Sequence, residues 1–107
     1  MKKYQVIVTP DAKADLRRYL SYLRNVKKNL QATKSVLEDF NDTQEKLSRI
    51  ADGISEPASD ELGKRALKRL NFVKGHRYFV LFKKEPDGKI YITNVFHMLE
   101  DFESKLR

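Results

Sequence analysis

The stretch "HRYFVLFKKEPDGKIYITNVFH", residues 76–97, decides the fold. Two runs rich in aromatic and β-branched residues flank "EPDGK", a strong turn signal. Pro86 presets φ for the first turn position, Asp87 suits the second, and Gly88 supplies the left-handed residue of a bulged hairpin. The stretch therefore reads as an antiparallel hairpin with strands over about 77–84 and 89–97. A three-residue loop pairs Glu85 with Lys89. Carried along the ladder, that register sets Arg77 opposite His97 and Phe79 opposite Val95, and directly opposed residues share a face. One face, with Tyr78, Val80, Phe82, Ile90, Ile92 and Phe96, is then apolar and should meet helices. The other carries Arg77, Phe79, Leu81, Lys83, Tyr91, Thr93, Val95 and His97 and should stay open.

Outward from the hairpin, residues 67–73 form a further strand candidate, and "ISEPASDELGKR" (54–65) reads as a loop from its Pro, Gly, Ser and Asp content. Upstream, "YQVIVT" (4–9) is a short β-branched run. Thr9 suits an N-cap, Pro10 the first helical turn, and Asp11 and Asp15 the positive end of the helix dipole. Ala12, Leu16, Tyr19, Leu20 and Leu23 recur at helical spacing to about residue 25. "NVKKN" breaks the pattern. A second helix follows over about 30–51, with Leu30, Val36 or Leu37, Phe40, Leu47 and Ile50 as its stripe and Gly53 just past its end. "LEDFESKL" predicts a short C-terminal helix, either closing the core with Leu99, Phe102 and Leu106 or acting as a displaceable lid. The order β-α-α-β-β-β predicts an α+β domain with a helical hairpin packed on one face of a small antiparallel sheet. The first strand belongs on an edge or beside the last.

The 107 residues suit a single domain over 1–107. No run approaches the ~18 apolar residues of a membrane span. The apolar run after Met1 is too short for a signal-peptide core, so a cytosolic, cytoplasmic protein is expected. The chain has no cysteine, and its two histidines stand apart from any carboxylate cluster; neither a metal site nor a cofactor is expected.

The net charge of +7 is unevenly spread. Residues 1–63 carry 11 bases against 10 acids, and residues 64–107 carry 11 against 5. From Lys64 to Lys84 there are eight Lys or Arg residues and no acid. A one-sided basic excess favours nucleic acid or an acidic protein partner. An open sheet face with cations, aromatic rings and an imidazole is a platform for RNA: cations hold phosphates, rings stack on bases, and the imidazole moves a proton. The same residues also have structural readings. Arg77 can pair with Glu100 or Asp101, His97 can be a half-buried strand-end histidine, and the lysines can be a solvated face.

The element order, the strand "HRYFVLFKK", the closing "IYITNVFHMLEDF" and the opening "YQVIVTPDAKADLRRYLSYL" resemble the RelE/ParE superfamily of bacterial type II toxins, also described as plasmid stabilisation proteins. The resemblance spans essentially the whole chain. It implies a cognate antitoxin as partner and one of two activities. A RelE-like member is an endoribonuclease that cleaves mRNA on the ribosome by metal-independent 2′-hydroxyl attack. A ParE-like member inhibits DNA gyrase without chemistry. An inactive, RelE-like binding domain is a third reading. By the resemblance Arg77 clamps the scissile phosphate, a task suited to a bidentate guanidinium. His97 serves as acid or base. Lys64, Arg65, Lys68 and Arg69 grip RNA backbone, as would Lys74 and Lys83. The segment departs from the nuclease pattern at Phe102, which stands where a catalytic tyrosine is expected, and Glu100 and Asp101 stand where cations would help.

Overall fold

A computed structural model of the chain describes residues 3–50, 67–75 and 77–99. The expected C-terminal helix, Gly53, His76, Lys64, Arg65 and Phe102 lie outside the described residues. Strand β1 (Val6–Val8) leads into helix α1 (Pro10–Ser21), which continues through a π-helical turn at Tyr22–Val26; helix α2 spans Leu30–Ile50. Strands β2 (Lys68–Asn71), β3 (Tyr78–Lys84) and β4 (Ile90–His97) follow. The sheet order is β1-β4-β3-β2. β1 is both an edge strand and the neighbour of the last strand, and it runs parallel to β4. The sheet is therefore mixed, where an antiparallel one was expected. Neither helix is long and apolar enough to cross a membrane.

The local signals act through identifiable contacts. The Thr9 hydroxyl accepts from the Ala12 N–H at 3.3 Å and donates to the Ile92 carbonyl at 3.0 Å. One side chain thus caps α1 and ties it to β4. Asn29 caps α2, its Oδ1 accepting from the Ala32 N–H at 2.9 Å. Between them Lys28 turns the chain with φ 52°, a left-handed conformation that a non-glycine residue adopts at a cost of about 1–2 kcal/mol.

The helices pack on one face of the sheet, with Leu16, Phe40, Leu47, Phe72, Val80, Phe82 and Ile92 at the centre of the core. Burying each such side chain contributes about 1.5–3 kcal/mol. The opposite face is not the open platform expected from the sequence. It holds a second buried cluster of Leu67, Phe79, Leu81 and Phe96, in which Phe79 and Leu81 are 0% exposed. The Arg69 guanidinium lies 4.0 Å above the Phe79 ring.

The hairpin register also differs from expectation. Near the turn it is as read: Glu85 bonds Lys89, Gly88 adopts φ 81°, and Phe82, Lys83 and Lys84 pair with Ile92, Tyr91 and Ile90. Between Leu81 and Phe82 the ladder shifts, because Thr93 on β4 is an extra residue. Beyond this bulge Val80 faces Val95, Phe79 faces Phe96, and Tyr78, not Arg77, faces His97. One inserted residue exchanges the faces of everything past it. Val95 and His97 thus turn to the helix side, and Phe96 turns away from it.

The bulge has a physical cause in α1. β1 ends at Val8, paired with Ile92, so among the described residues β4 runs on with no strand on that edge. There the Asp15 carboxylate accepts from the Val95 N–H at 3.0 Å, and the Tyr19 hydroxyl, one helical turn on, accepts from the His97 N–H at 3.1 Å. Side chains of α1 replace the missing strand. Asp15→Ala leaves the N–H of fully buried Val95 without an acceptor and should lower the unfolding free energy by about 1–3 kcal/mol in urea titration. Asp15→Asn, which keeps one acceptor oxygen, should lose less.

Candidate functional site

The switched register places His97 against Tyr78 as a non-hydrogen-bonded pair, the type that brings side chains closest. Their rings meet edge to face, centroids 5.0 Å apart and planes at 88°. Tyr78 in turn meets Tyr19 from α1 at 5.2 Å. Arg77 precedes β3 and is exposed; its carbonyl accepts from the Met98 N–H at 2.8 Å, which holds the start of β3 beside the end of β4. These residues line a cleft of about 650 Å³ between the helical hairpin and the end of the β3–β4 ladder. Its apolar floor includes Leu23 and Val36, and its cations are Arg18, Lys27 and Arg77. Among the described residues no carboxylate lines it.

The cleft's polar groups are held in specific ways. The Arg18 guanidinium lies 4.9 Å from the centre of the Tyr19 ring, and Lys27 Nζ 5.8 Å from that of Tyr22. Burial raises the Tyr78 phenol above its ordinary value, partly offset by the charge of Arg77, so it stays protonated at neutral pH. The His97 Nδ1 accepts from the Leu99 N–H at 3.1 Å. A neutral imidazole held this way carries its proton on Nε2.

The turn that leads into Arg77 is held by α2. The Asp39 carboxylate, 5% exposed, accepts from the Lys74 N–H at 2.8 Å and the Gly75 N–H at 2.7 Å. Thr43, one helical turn on, accepts from the Val73 N–H at 3.1 Å and donates to the Asp39 carbonyl at 2.6 Å. A Cβ at Gly75 would lie 3.3 Å from the Asp39 carboxylate, so the close approach favours glycine there. These inward polar residues break the apolar stripe expected of α2.

Arg77 and His97 therefore reach one cleft, by a different route from the expected register and on the helix side of the sheet. The described lysines and arginines expected to bind RNA do not form one surface. Lys68 faces the helix side with Phe82, whereas Arg69 points to the opposite face with Leu81, where burial lowers its pKa. Lys74 pairs with Asp42 on α2 at 2.7 Å; that hydrogen bond and charge raise its pKa. Lys83 pairs with Glu85 at 2.9 Å. It lines a second cleft of about 620 Å³ with Asp11, Glu85 and Asp87, whose charge would repel a polyanion. There Asp87 is held below its ordinary pKa by bonds from the Lys89 N–H and the Tyr91 hydroxyl, each 2.8 Å, and Tyr91 is raised by the same bond. Sequence reasoning missed Arg18, Tyr22 and Lys27, and read Tyr19 as core. A phenol inside an apolar stripe, next to an arginine, was the available signal.

Asp39→Ala should destabilise the fold by about 2–3 kcal/mol, since two N–H groups of the turn lose a buried charged acceptor. Urea titration measures that loss, and amide exchange at Lys74 and Gly75 should show it locally.

No family model matches the chain, and no curated protein does. Among solved structures it is similar to a chain of the chromosomal ParDE TA system from P. aeruginosa, with TM-score 0.62 and 17% sequence identity, over 91% of this chain and 98% of that one. At that identity the likeness is one of fold.

Proposed function

We propose that this chain is the toxin of a type II toxin–antitoxin pair of the RelE/ParE superfamily, and that the cleft between the helical hairpin and the β3–β4 end is its working surface. The fold likeness to a ParDE chain over nearly its whole length supports the toxin reading. We read the mode of action as RelE-like: cleavage of mRNA on the ribosome, in the cytoplasm, with an antitoxin as the neutralising partner. The observation that carries this reading is the convergence of Arg77 and His97 in one tyrosine-lined cleft with Arg18 and Lys27.

The chemistry assigns each group a task. Arg77 holds the non-bridging oxygens of the scissile phosphate and stabilises the charge that builds on the phosphorane. Tyr22 offers an exposed ring for base stacking, with Lys27 beside it for the backbone. With the Leu99 N–H bonded to Nδ1, a neutral His97 carries its proton on Nε2. To take the 2′-hydroxyl proton it must adopt the other tautomer, reached when the Leu99 bond opens.

A second reading, ParE-like inhibition of gyrase, is favoured by the ParDE neighbour and by that same Leu99 bond, which holds the imidazole away from proton transfer. Inducible expression with mRNA 5′-end mapping, beside a gyrase supercoiling assay, separates the two. The nuclease reading expects growth arrest with new 5′ ends inside translated messages. Arg77→Ala should reduce cutting about 100-fold or more, and His97→Ala should relieve the arrest. Arrest without new ends and with lost supercoiling would overturn it in favour of the second.

A further inference from the structure

Phe102, standing where a catalytic tyrosine is expected, has no hydroxyl to give. The cleft contains a phenol from a different element. Tyr19 lies on α1, 78 residues from His97 in sequence, yet its oxygen is bonded to the His97 N–H at 3.1 Å. We propose that Tyr19 is the general acid of this site, the residue that protonates the leaving group; the proposal rests on the nuclease reading above.

The argument is electrostatic and geometric. The His97 N–H donates to the Tyr19 oxygen, so the phenol's own proton points elsewhere and is available to a ligand in the cleft. The same N–H stabilises the phenolate that remains once the proton has left. The Arg18 guanidinium lies 4.9 Å from the ring centre and is shared with Asp15 at 3.7 Å, so its charge favours the phenolate in part. Edge contact with Tyr78 at 5.2 Å fixes the ring's orientation. Tyr78 itself is poorly suited to the task, because burial raises its pKa and holds its proton.

In the step assigned here, the RNA 2′-oxygen attacks phosphorus and the P–O5′ bond breaks. The 2′-hydroxyl proton goes to the His97 imidazole in its second tautomer. The departing 5′-oxygen takes the Tyr19 proton. The products are a 2′,3′-cyclic phosphate and a free 5′-hydroxyl, and water returns the proton from imidazolium to phenolate.

The test compares the wild-type protein with Tyr19→Phe in a translating extract, on a message of ordinary linkage and on one with sulfur replacing the bridging 5′-oxygen at the cut site. Thiolate leaves without a proton, so it removes the need for an acid. Tyr91→Phe, a phenol lost from the acidic cleft, is the control. Tyr19→Phe should cut the ordinary message about 100-fold more slowly, with half-saturating message concentration unchanged, and the sulfur-bridged one at close to the wild-type rate. Full activity of Tyr19→Phe on the ordinary linkage would overturn the proposal and leave the nuclease reading intact. So would an equal loss on both substrates, the mark of a structural role; a thermal melt identifies misfolding as its source. If the wild-type protein cuts neither message, the nuclease reading falls, and the acid with it.

Discussion

The structure depends on how the end of β4 is closed. A strand with no neighbour exposes N–H and C=O groups that must find partners. β1 is three residues long and stops at Ile92 of β4. From there Asp15 and Tyr19 of α1 take the N–H groups of Val95 and His97. This arrangement fits the register past the Thr93 bulge, in which those two N–H groups point toward the helix and away from β3. The register then sends the His97 side chain to the helix side, against Tyr78. Closure of an edge and placement of an imidazole are thus one event.

The same logic governs the second half of the site. α2 uses Asp39 and Thr43 to hold the turn before Arg77, as α1 uses Asp15 and Tyr19 to hold the strand that ends at His97. In each case the two residues lie four apart on one helix face, so a single rigid element supplies both acceptors. Each of the two groups at the mouth of the cleft is thereby carried on backbone that a buried or half-buried side chain holds. Such support is what a functional group needs if it is to act without first being ordered.

Charge is sorted by the fold in a way that net charge conceals. Lys74 and Lys83 sit beside acids, and Arg69 lies over Phe79. Exposed ion pairs of this kind contribute little stability, but they cancel the local field. Arg18, which also reaches Asp15 at 3.7 Å, shares the helix-side cleft with Lys27 and Arg77, and no carboxylate lines it among the described residues; its partly apolar walls concentrate their field. Among the described residues the cationic surface is therefore smaller than the run from Lys64 to Lys84 suggests, and two of its three cations come from the helical hairpin.

Element order, the Thr9 cap, the Pro86-Asp87-Gly88 turn and much of the apolar core were legible in the chain, because each is dictated by neighbours a few residues apart. Thr9 caps α1 whatever the rest of the molecule does, and Gly88 adopts its positive φ for reasons internal to the turn. The parallel sense of the β1–β4 pairing, the Thr93 bulge, the second apolar cluster and the meeting of Tyr19 with His97 were not legible. Each depends on residues far apart in sequence whose hydrogen-bonding groups meet only after the helices have docked on the sheet. Period-two alternation assigns faces correctly only while the ladder is regular, and a single extra residue, stabilised from another element, reverses the assignment beyond it. Local chemistry wrote the elements and their turns; which side chains share a cleft was decided by the backbone groups that had to be satisfied in three dimensions.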